Sequence, residues 1–226
     1  SIFSQMTSTA GVMPFYEYMH MPGIDWLRRC ISSPVIAKQV GSAACQLGKK
    51  HVLTESFALS GWDVSFEELK WIAEWQFVNG VNRICQHLES YTIKGARKRD
   101  YPPSLFIQQT WWDEYKKFND YLGRMSVVLG NGKQEADVLL IHPLRSGYIV
   151  YDGTRTDEIR DLDTKFTEVC NRLSGDHISY HLGDETIINK YSSVNNGEFI
   201  VGEMAYKTVV LPEMYSIDIK TVELLL

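Results

Sequence analysis

Three segments in the first half of this 226-residue chain end near side chains that can exchange protons. Glu17 and Asp25 lie near the first segment. Glu55 ends the second, and His87 ends the third. Pairs of carboxyl groups cleave glycosidic bonds, because one group protonates the leaving oxygen while the other attacks the anomeric carbon or activates water. The residue types therefore indicate acid–base or nucleophilic chemistry on a sugar.

Glu55 is the best candidate for the reacting carboxylate. It interrupts the apolar run 52–57, where a charged side chain requires a reason. Two interpretations stand side by side: the carboxylate performs chemistry, or it lies at the wet end of a strand and pairs with Lys or Arg. His87 is likewise either a sugar ligand or proton carrier, or a hydrogen-bonded packing residue.

Aromatic side chains occur in polar, loop-like stretches near these segments. Trp62 lies in a Ser-Gly-Trp-Asp stretch, Trp111 and Trp112 lie in a Thr-Trp-Trp-Asp stretch, and Tyr91 follows His87. Flat aromatic faces suit sugar rings, so we expect Trp62 and Tyr91 to contact a carbohydrate. The alternative is that the tryptophans pack at the starts of helices.

The same segments belong to a pattern of strand, loop and helix that occurs three times. Ser65 and Glu68 form the capping-box pattern that starts a helix. This alternation predicts a parallel sheet, whose ligands bind at the carboxyl ends of the strands, so we expect Glu17, Glu55 and His87 to share one cleft. The predicted strands cover 14–20, 51–57 and 81–87, and the predicted helices run over 34–47, from Ser65 to Asn79, and from Thr110 to near 130.

The pattern changes near residue 133. A buried strand run at 136–142 ends at Pro143, and the turn signal Asn-Asn-Gly lies at 195–197. These features predict the first half of a second, doubly wound α/β domain with a hairpin insert. The fold class is therefore α/β, with one domain over 1–132 and another over 133–226. The other elements predicted in the second domain are a helix at 162–173, strands at 178–182, 198–201 and 206–211, and a helix from Ser216.

Composition and missing motifs exclude several classes of function. The net charge of −5 disfavours nucleic-acid binding, and the basic cluster 94–99 is interpreted as a solvated loop. No apolar run reaches the ~18 residues of a membrane span. A Gly-rich phosphate loop, a C-x-x-C pair and an H-E-x-x-H motif are absent, so no cofactor or metal is predicted. The dispersed cysteines, of which Cys45 and Cys85 are predicted to be buried thiols, favour a reducing, cytoplasmic setting.

Several blocks of this sequence together resemble a known family. Four of them are similar to the last strands of the catalytic barrel in large bacterial α-L-rhamnosidase-like glycoside hydrolases. Two later blocks are similar to the flavodoxin-like domain that follows a barrel of this kind, as it does in family 42 β-galactosidases. The blocks are 16–25, 38–50, 53–57 and 80–87, and then 136–143 and 206–212.

The resemblance implies that the three strands are the sixth to eighth of a (β/α)₈ barrel. Glu55 would be the nucleophile of a retaining enzyme or the general base of an inverting one. His87, Glu17 and Asp25 would line the sugar subsite. The partner acid would belong to an earlier strand that is absent from this chain.

Three barrel strands alone would leave an open edge with unpaired backbone groups and an uncovered apolar face. We therefore expect the chain either to associate with itself or to be part of a longer polypeptide. One alternative is a non-catalytic carbohydrate-binding or regulatory module that binds sugar through its aromatic loops. Another is a structural, oligomerising α/β domain.

Overall fold

A computed structural model describes residues 11–31, 33–154 and 157–226 of the chain. Within these residues helices alternate with short parallel strands, so the chain has an α/β fold. The first sheet is formed by β1 (Gly23–Trp26), β2 (Leu53–Ser56) and β3 (Arg83–Gln86). These strands are parallel and lie in the order β1-β2-β3.

A helix follows each strand of the first sheet. The helices are α1 (Val35–Gln46), α2 (Phe66–Val78) and α3 (Tyr115–Asn131). The predicted start of α2 is confirmed, because Ser65 Oγ accepts the Glu68 N–H at 3.2 Å and the Glu68 carboxylate accepts the Ser65 N–H at 3.0 Å. These two bonds satisfy backbone donors that the first turn of a helix leaves without partners.

The third helix begins later than the sequence predicts. A 3₁₀ turn, Trp112–Glu114, separates Thr110 from α3. Trp111 and Trp112 both stack on Tyr115, with ring centroids 5.4 and 5.7 Å from that of the tyrosine. For these two tryptophans, the contacts match the alternative of packing at a helix start.

The prediction of a strand at 14–20 is wrong. Met13–Tyr18 forms a 3₁₀ helix that has Pro14 in its first turn and buries Met13 and Tyr16. Proline has no N–H for a sheet, and its fixed φ suits the first turn of a helix, so Pro14 outweighs the strand propensity of the aromatic residues around it. The first strand instead begins after Pro22.

The second part of the chain builds another parallel sheet and an antiparallel insert. Its strands are β4 (Val138–Ile141), β5 (Tyr180–Gly183), β6 (Ser192–Asn195), β7 (Glu198–Val201), β8 (Met204–Tyr206) and β9 (Thr208–Val210). Its helices are α4 (Leu144–Val150), α5 (Asp157–Gly175), α6 (Glu185–Tyr191) and α7 (Ile219–Leu225). The parallel strands lie in the order β5-β4-β9, and the insert in the order β6-β7-β8. In the described ranges, no helix has the length and apolarity of a membrane span.

Helix α1 joins the two parallel sheets through polar side chains four residues apart. Lys38 Nζ and Gln46 Nε2 donate to the carbonyls of Tyr180 and Leu182, at 3.3 and 2.9 Å, respectively. Ser42 Oγ accepts the Leu182 N–H at 2.8 Å. These bonds satisfy the outer backbone edge of β5, whose other edge pairs with β4. Because the three α1 side chains are buried, the two sheets share one continuous interior.

Two cysteines depart from the burial that the sequence predicts. Cys85 is exposed and Cys45 is only half-buried, whereas Cys170 is fully buried. Cys85 belongs to β3, whose exposed residues alternate with half-buried ones. Its exposure follows from the strand face on which it lies, which the apolar residues next to it in sequence do not indicate.

Candidate active site

The two faces of the first sheet have different surroundings. Ser56 on β2 accepts a hydrogen bond from Gln76 of α2 at 3.0 Å, and Trp26 on β1 packs against the same helix. Side chains alternate along a strand, so Asp25 and Glu55, each one residue earlier, point to the opposite face. Helices thus cover one face of the sheet, and the two carboxyl groups lie on the other.

Asp25 and Glu55 are direct neighbours across the sheet. The parallel register pairs Asp25 with Glu55, and Glu55 with Cys85. Adjacent strands lie ~4.8 Å apart, so the two carboxyl groups leave the backbone side by side. Both residues are partly buried. The arrangement can therefore hold a proton between two carboxyl groups or present both to one ligand.

The surroundings of Asp25 disfavour its charged form. Burial raises the pKa of Asp25, and the negative charge of Glu55 raises it further, whereas a charged His87 ring acts in the opposite direction. Asp25 Oδ1 is inaccessible to solvent and has no hydrogen-bond partner among the described residues. Asp25 therefore differs from an ordinary surface carboxylate.

His87 follows β3 at the carboxyl edge of the sheet. The backbone N–H of His87 donates to the Ser56 carbonyl at 2.9 Å, and the His87 ring packs against Tyr101 with the ring centroids 5.8 Å apart. The imidazole lies within electrostatic reach of Asp25, because its charge acts on the pKa of that carboxyl group. The structure thus brings Asp25, Glu55 and His87 to one region of the sheet.

The backbone is strained where β1 and β2 end. Arg28 and Phe57 have φ values of 71° and 79°, a region that residues with large side chains rarely adopt. The Arg28 N–H donates to the Ala58 carbonyl at 2.7 Å, which links the two strand ends. Arg29 ties them to α2 through an ion pair with Glu68 at 2.8 Å. Residues with strained backbones of this kind are concentrated at the active sites and ligand-binding sites of proteins.

The two aromatic candidates have different surroundings. The Trp62 indole N–H donates to the Lys98 carbonyl at 2.8 Å, and the Trp62 carbonyl accepts from Gln109 Nε2 at 3.2 Å. Trp62 therefore fastens the loop after β2 to the loop after β3. Tyr91 projects from the latter loop and is fully exposed.

Glu17 does not lie with Asp25, Glu55 and His87 at the carboxyl edge of the first sheet. Its carboxylate accepts hydrogen bonds from Lys190 Nζ and Tyr191 Oη, both at 2.8 Å, and these bonds lower the pKa of Glu17. The expectation that Glu17 shares a cleft with Glu55 and His87 is wrong, because the strand that should carry Glu17 is a 3₁₀ helix.

Two further side chains on the face that carries Glu55 are not among the site residues predicted from the sequence. Arg83 and Cys85 pair in register with Leu53 and Glu55, respectively. Although Cys85 as a whole is exposed, its thiol is partly desolvated, which raises its pKa, and the charge of Glu55 adds to the shift. The alternation of side chains along β3 is the signal that could have placed both residues. Within the described parts of the chain, no three His, Cys, Asp or Glu side chains are grouped closely enough to hold a metal ion.

Known proteins are similar to this chain over most of its length. A family model described as alpha-L-rhamnosidase matches residues 31–225. A protein of Formosa agariphila named "Putative beta-glucuronidase" is 27% identical over an alignment of 202 positions, with 79% of this chain and 17% of that protein covered. The structure of a rhamnosidase from Novosphingobium sp. PP1Y is similar with a TM-score of 0.66 and 19% identity, over 94% of this chain and 20% of that one. The chain thus spans about a fifth of the length of these relatives.

Proposed function

The chain belongs to the α-L-rhamnosidase family, and from this premise we propose that it forms part of a glycoside hydrolase acting on an α-L-rhamnoside or a similar sugar. Glu55 is the reacting carboxylate that this chain supplies. The second carboxyl group of the acid–base pair lies in a segment outside the chain. A carbohydrate is therefore the ligand of the sheet face on which Glu55 lies.

The position of Glu55 is the observation that carries this proposal. Glu55 lies near the carboxyl end of a parallel strand, on the face that α2 does not cover, and next to Asp25. In α/β barrels this face is the interior, and active sites lie at the carboxyl ends of the strands. A carboxylate in this position meets a ligand that enters from that end.

Two domains follow from the same proposal. Residues 1–132 form the C-terminal part of a (β/α)₈ barrel, which is supported by three adjacent parallel strands that are each followed by a helix. Residues 133–226 form an incomplete flavodoxin-like domain. The order β5-β4-β9 supports this, because a flavodoxin-like sheet begins with the strand order second, first, third.

The residues of the site have separate roles in this proposal. Glu55 is the nucleophile of a retaining reaction or the general base of an inverting one, and its charge stabilises the sugar cation of the transition state. His87 and Asp25 line the sugar subsite. Trp62 and Tyr91 offer aromatic faces from the two loops above it. The remainder of a longer chain, or a second copy of this one, covers the inner face of the sheet.

Replacing Glu55 by glutamine in the full-length protein tests the proposal. Glu55→Gln keeps the size of the side chain but removes its charge and its basic oxygen. We expect kcat to fall by about 10³-fold or more, which is ~4 kcal/mol of barrier, while KM changes little. Hydrolysis of aryl α-L-rhamnosides and aryl β-D-glucuronides, the two sugars suggested by the relatives' names, measures the effect.

Glu67→Gln is the matched control. Glu67 is an exposed carboxylate in the first turn of α2, on the helix side of the sheet, and its variant should keep the wild-type rate. The assignment of Glu55 is wrong if Glu55→Gln keeps more than about a tenth of the wild-type kcat. A wild-type protein that binds these sugars without hydrolysing them would support a non-catalytic carbohydrate-binding module.

A further inference from the structure

We propose that Asp25 holds a proton while the enzyme works, and that it positions Glu55 by donating a hydrogen bond to the Glu55 carboxylate. The inference rests on the proposed role of Glu55 and deepens it, because it assigns a proton to Asp25, the carboxyl group next to Glu55 in the sheet. It goes beyond the expectation that Asp25 contacts a sugar hydroxyl group.

The register of the first sheet places the two carboxyl groups next to each other. Asp25 pairs with Glu55 across one strand spacing, on the face opposite to α2. Two ionised carboxylates at this separation repel each other, so such a pair keeps one proton over a pH range in which an isolated carboxyl group is ionised. The other titratable or charged groups that the first sheet brings to this face come from β3 and the residue after it: the Cys85 thiol, the His87 ring and, two positions before Cys85, the Arg83 guanidinium.

Asp25 is the member of the pair that takes up the proton. Its Oδ1 is enclosed and accepts no hydrogen bond from the described residues. A carboxylate oxygen in such a place has lost its water without gaining a donor, and protonation of the group removes that cost. The directions of the pKa effects agree, since burial and the charge of Glu55 both raise the pKa of Asp25. Further strands that close the barrel would exclude more water and strengthen the same preference.

A neutral Asp25 has two consequences for Glu55. It leaves Glu55 as the single negative charge that faces the anomeric carbon, and its O–H can hold the Glu55 carboxylate in one orientation. The proton stays on Asp25 throughout, and Asp25 forms no bond to the sugar. When Asp25 ionises at higher pH, the donor is lost and the two charges repel each other.

The test compares Asp25→Asn and Asp25→Ala in the full-length protein, with kcat and KM measured across pH. Asparagine is neutral at every pH and can donate an N–H, so we expect its variant to lose the decline that ionisation of Asp25 causes as the pH rises, and to lose less kcat than the alanine variant. Alanine donates nothing, so kcat should fall by about 10- to 100-fold with KM unchanged. Asp25→Ser, which keeps an O–H donor and does not ionise, replaces the asparagine variant if the latter does not fold.

The inference is overturned if Asp25→Asn has the wild-type pH profile, or if both variants raise KM and leave kcat unchanged, as a simple sugar contact requires. Measuring Glu55→Gln in parallel separates this failure from a failure of the proposed function. If Glu55→Gln is inactive and the pH profile of Asp25→Asn is unchanged, only the role of Asp25 is wrong. If Glu55→Gln is active, the proposed function fails and the inference about Asp25 fails with it.

Discussion

The ring of His181 takes part in a chain of hydrogen bonds that runs from α1 into the second sheet. Gln46 Nε2 donates to the Tyr206 hydroxyl at 2.9 Å, which donates to His181 Nδ1 at 3.0 Å. His181 Nε2 then donates to Gln134 Oε1 at 3.3 Å. Because Gln134 Oε1 can only accept, a neutral ring carries its proton on Nε2 and leaves Nδ1 to accept from the Tyr206 hydroxyl. Burial, together with the charge of Lys38, lowers the pKa of His181 to about 3.

We therefore predict that acid destabilises the chain through His181. The unfolded chain binds a proton near pH 6.5, whereas the folded chain does not bind one until about pH 3. The free energy of unfolding is unaffected above pH 6.5 and falls as the pH drops from 6.5 towards 3. At about pH 5 the loss is about 2 kcal/mol. Urea titrations at about pH 7.5 and about pH 5 should show a smaller loss in His181→Gln than in the wild-type chain.

His20→Gln is the control for this measurement, because His20 is exposed. That variant should lose as much stability in acid as the wild-type chain. If the free energy of unfolding of His181→Gln falls in acid as much as that of the wild-type chain, the neutral, hydrogen-bonded ring is contradicted.

Candidate site residues can be proposed from the sequence where they contrast with their neighbours. Glu55 is proposed in this way, because its carboxylate interrupts an apolar run, and its role stays a prediction. The pairing of Asp25 with Glu55 cannot, because the register between two strands depends on tertiary contacts and β1 has only four residues. Glu17 is a site prediction that fails. The aromatic residues around it suggest a strand, whereas Pro14 lies in the first turn of a 3₁₀ helix that carries Glu17.

The polar side chains of α1 that bond to β5, Lys38, Ser42 and Gln46, lead to a prediction for the whole helix. Ser42→Ala removes the acceptor of the Leu182 N–H, which then stays buried without a partner. We expect the free energy of unfolding to fall by about 1–3 kcal/mol. Gln46→Leu should cost at least as much, because Gln46 donates both to the Leu182 carbonyl and to Tyr206. Urea unfolding of both variants measures these losses.

Ser193→Ala provides the control, because Ser193 is exposed on β6 and its hydroxyl can bond to water. Its effect should stay within about 0.5 kcal/mol. If Ser42→Ala is as stable as this control, α1 does not hold the edge of β5.

Elements are predictable when their signals are local and long enough. The capping box starts α2 where the sequence places it, and the Asn-Gly turn at Asn196 and Gly197 joins β6 to β7, with φ values of 51° and 79°. Helices α4 and α6, which have seven residues each, are not predicted from the sequence. Helices this short present too few turns for an apolar period to be recognised.

At the scale of the molecule, the described chain covers the inner face of the first sheet only in part. Along β2, Leu53 and Glu55 are less buried than Thr54, which points to the helices, and Cys85 on β3 is exposed. A complete barrel encloses this face. We therefore predict that a thiol reagent labels Cys85 quickly in the 226-residue chain and slowly in the full-length protein. Mass spectrometry of the labelled peptides measures both rates.

The loop after β1 supplies the control for this experiment. Cys30 is exposed there and should react at the same rate in both proteins. Labelling at mildly alkaline pH is required, because partial desolvation of the thiol and the charge of Glu55 raise the pKa of Cys85. Equal labelling of Cys85 in the two proteins would contradict the proposed barrel. Protection that grows with the concentration of the chain alone would indicate that a second copy covers the face.

Sequence patterns indicate the α/β class and a change of character near residue 133, but they do not indicate how the two sheets meet. The contact between Ser42 and Leu182 joins residues 140 positions apart. Seen in the sequence alone, the polar residues of α1 suggest a solvent-exposed helix face, because nothing local shows that a strand edge lies against them. The structure is needed to recognise them as backbone partners.

The junction between α1 and β5 also bears on how such a protein can change during evolution. A recombination event that replaced the second sheet by an unrelated one would leave Lys38, Ser42 and Gln46 buried without backbone partners. The incoming sheet would in turn have an edge strand that no helix covers, and this edge could pair with strands of other protein chains. Inheritance of the two sheets as one block is therefore favoured, and new specificities are expected to arise in the loops after β2 and β3, where insertions leave this junction intact.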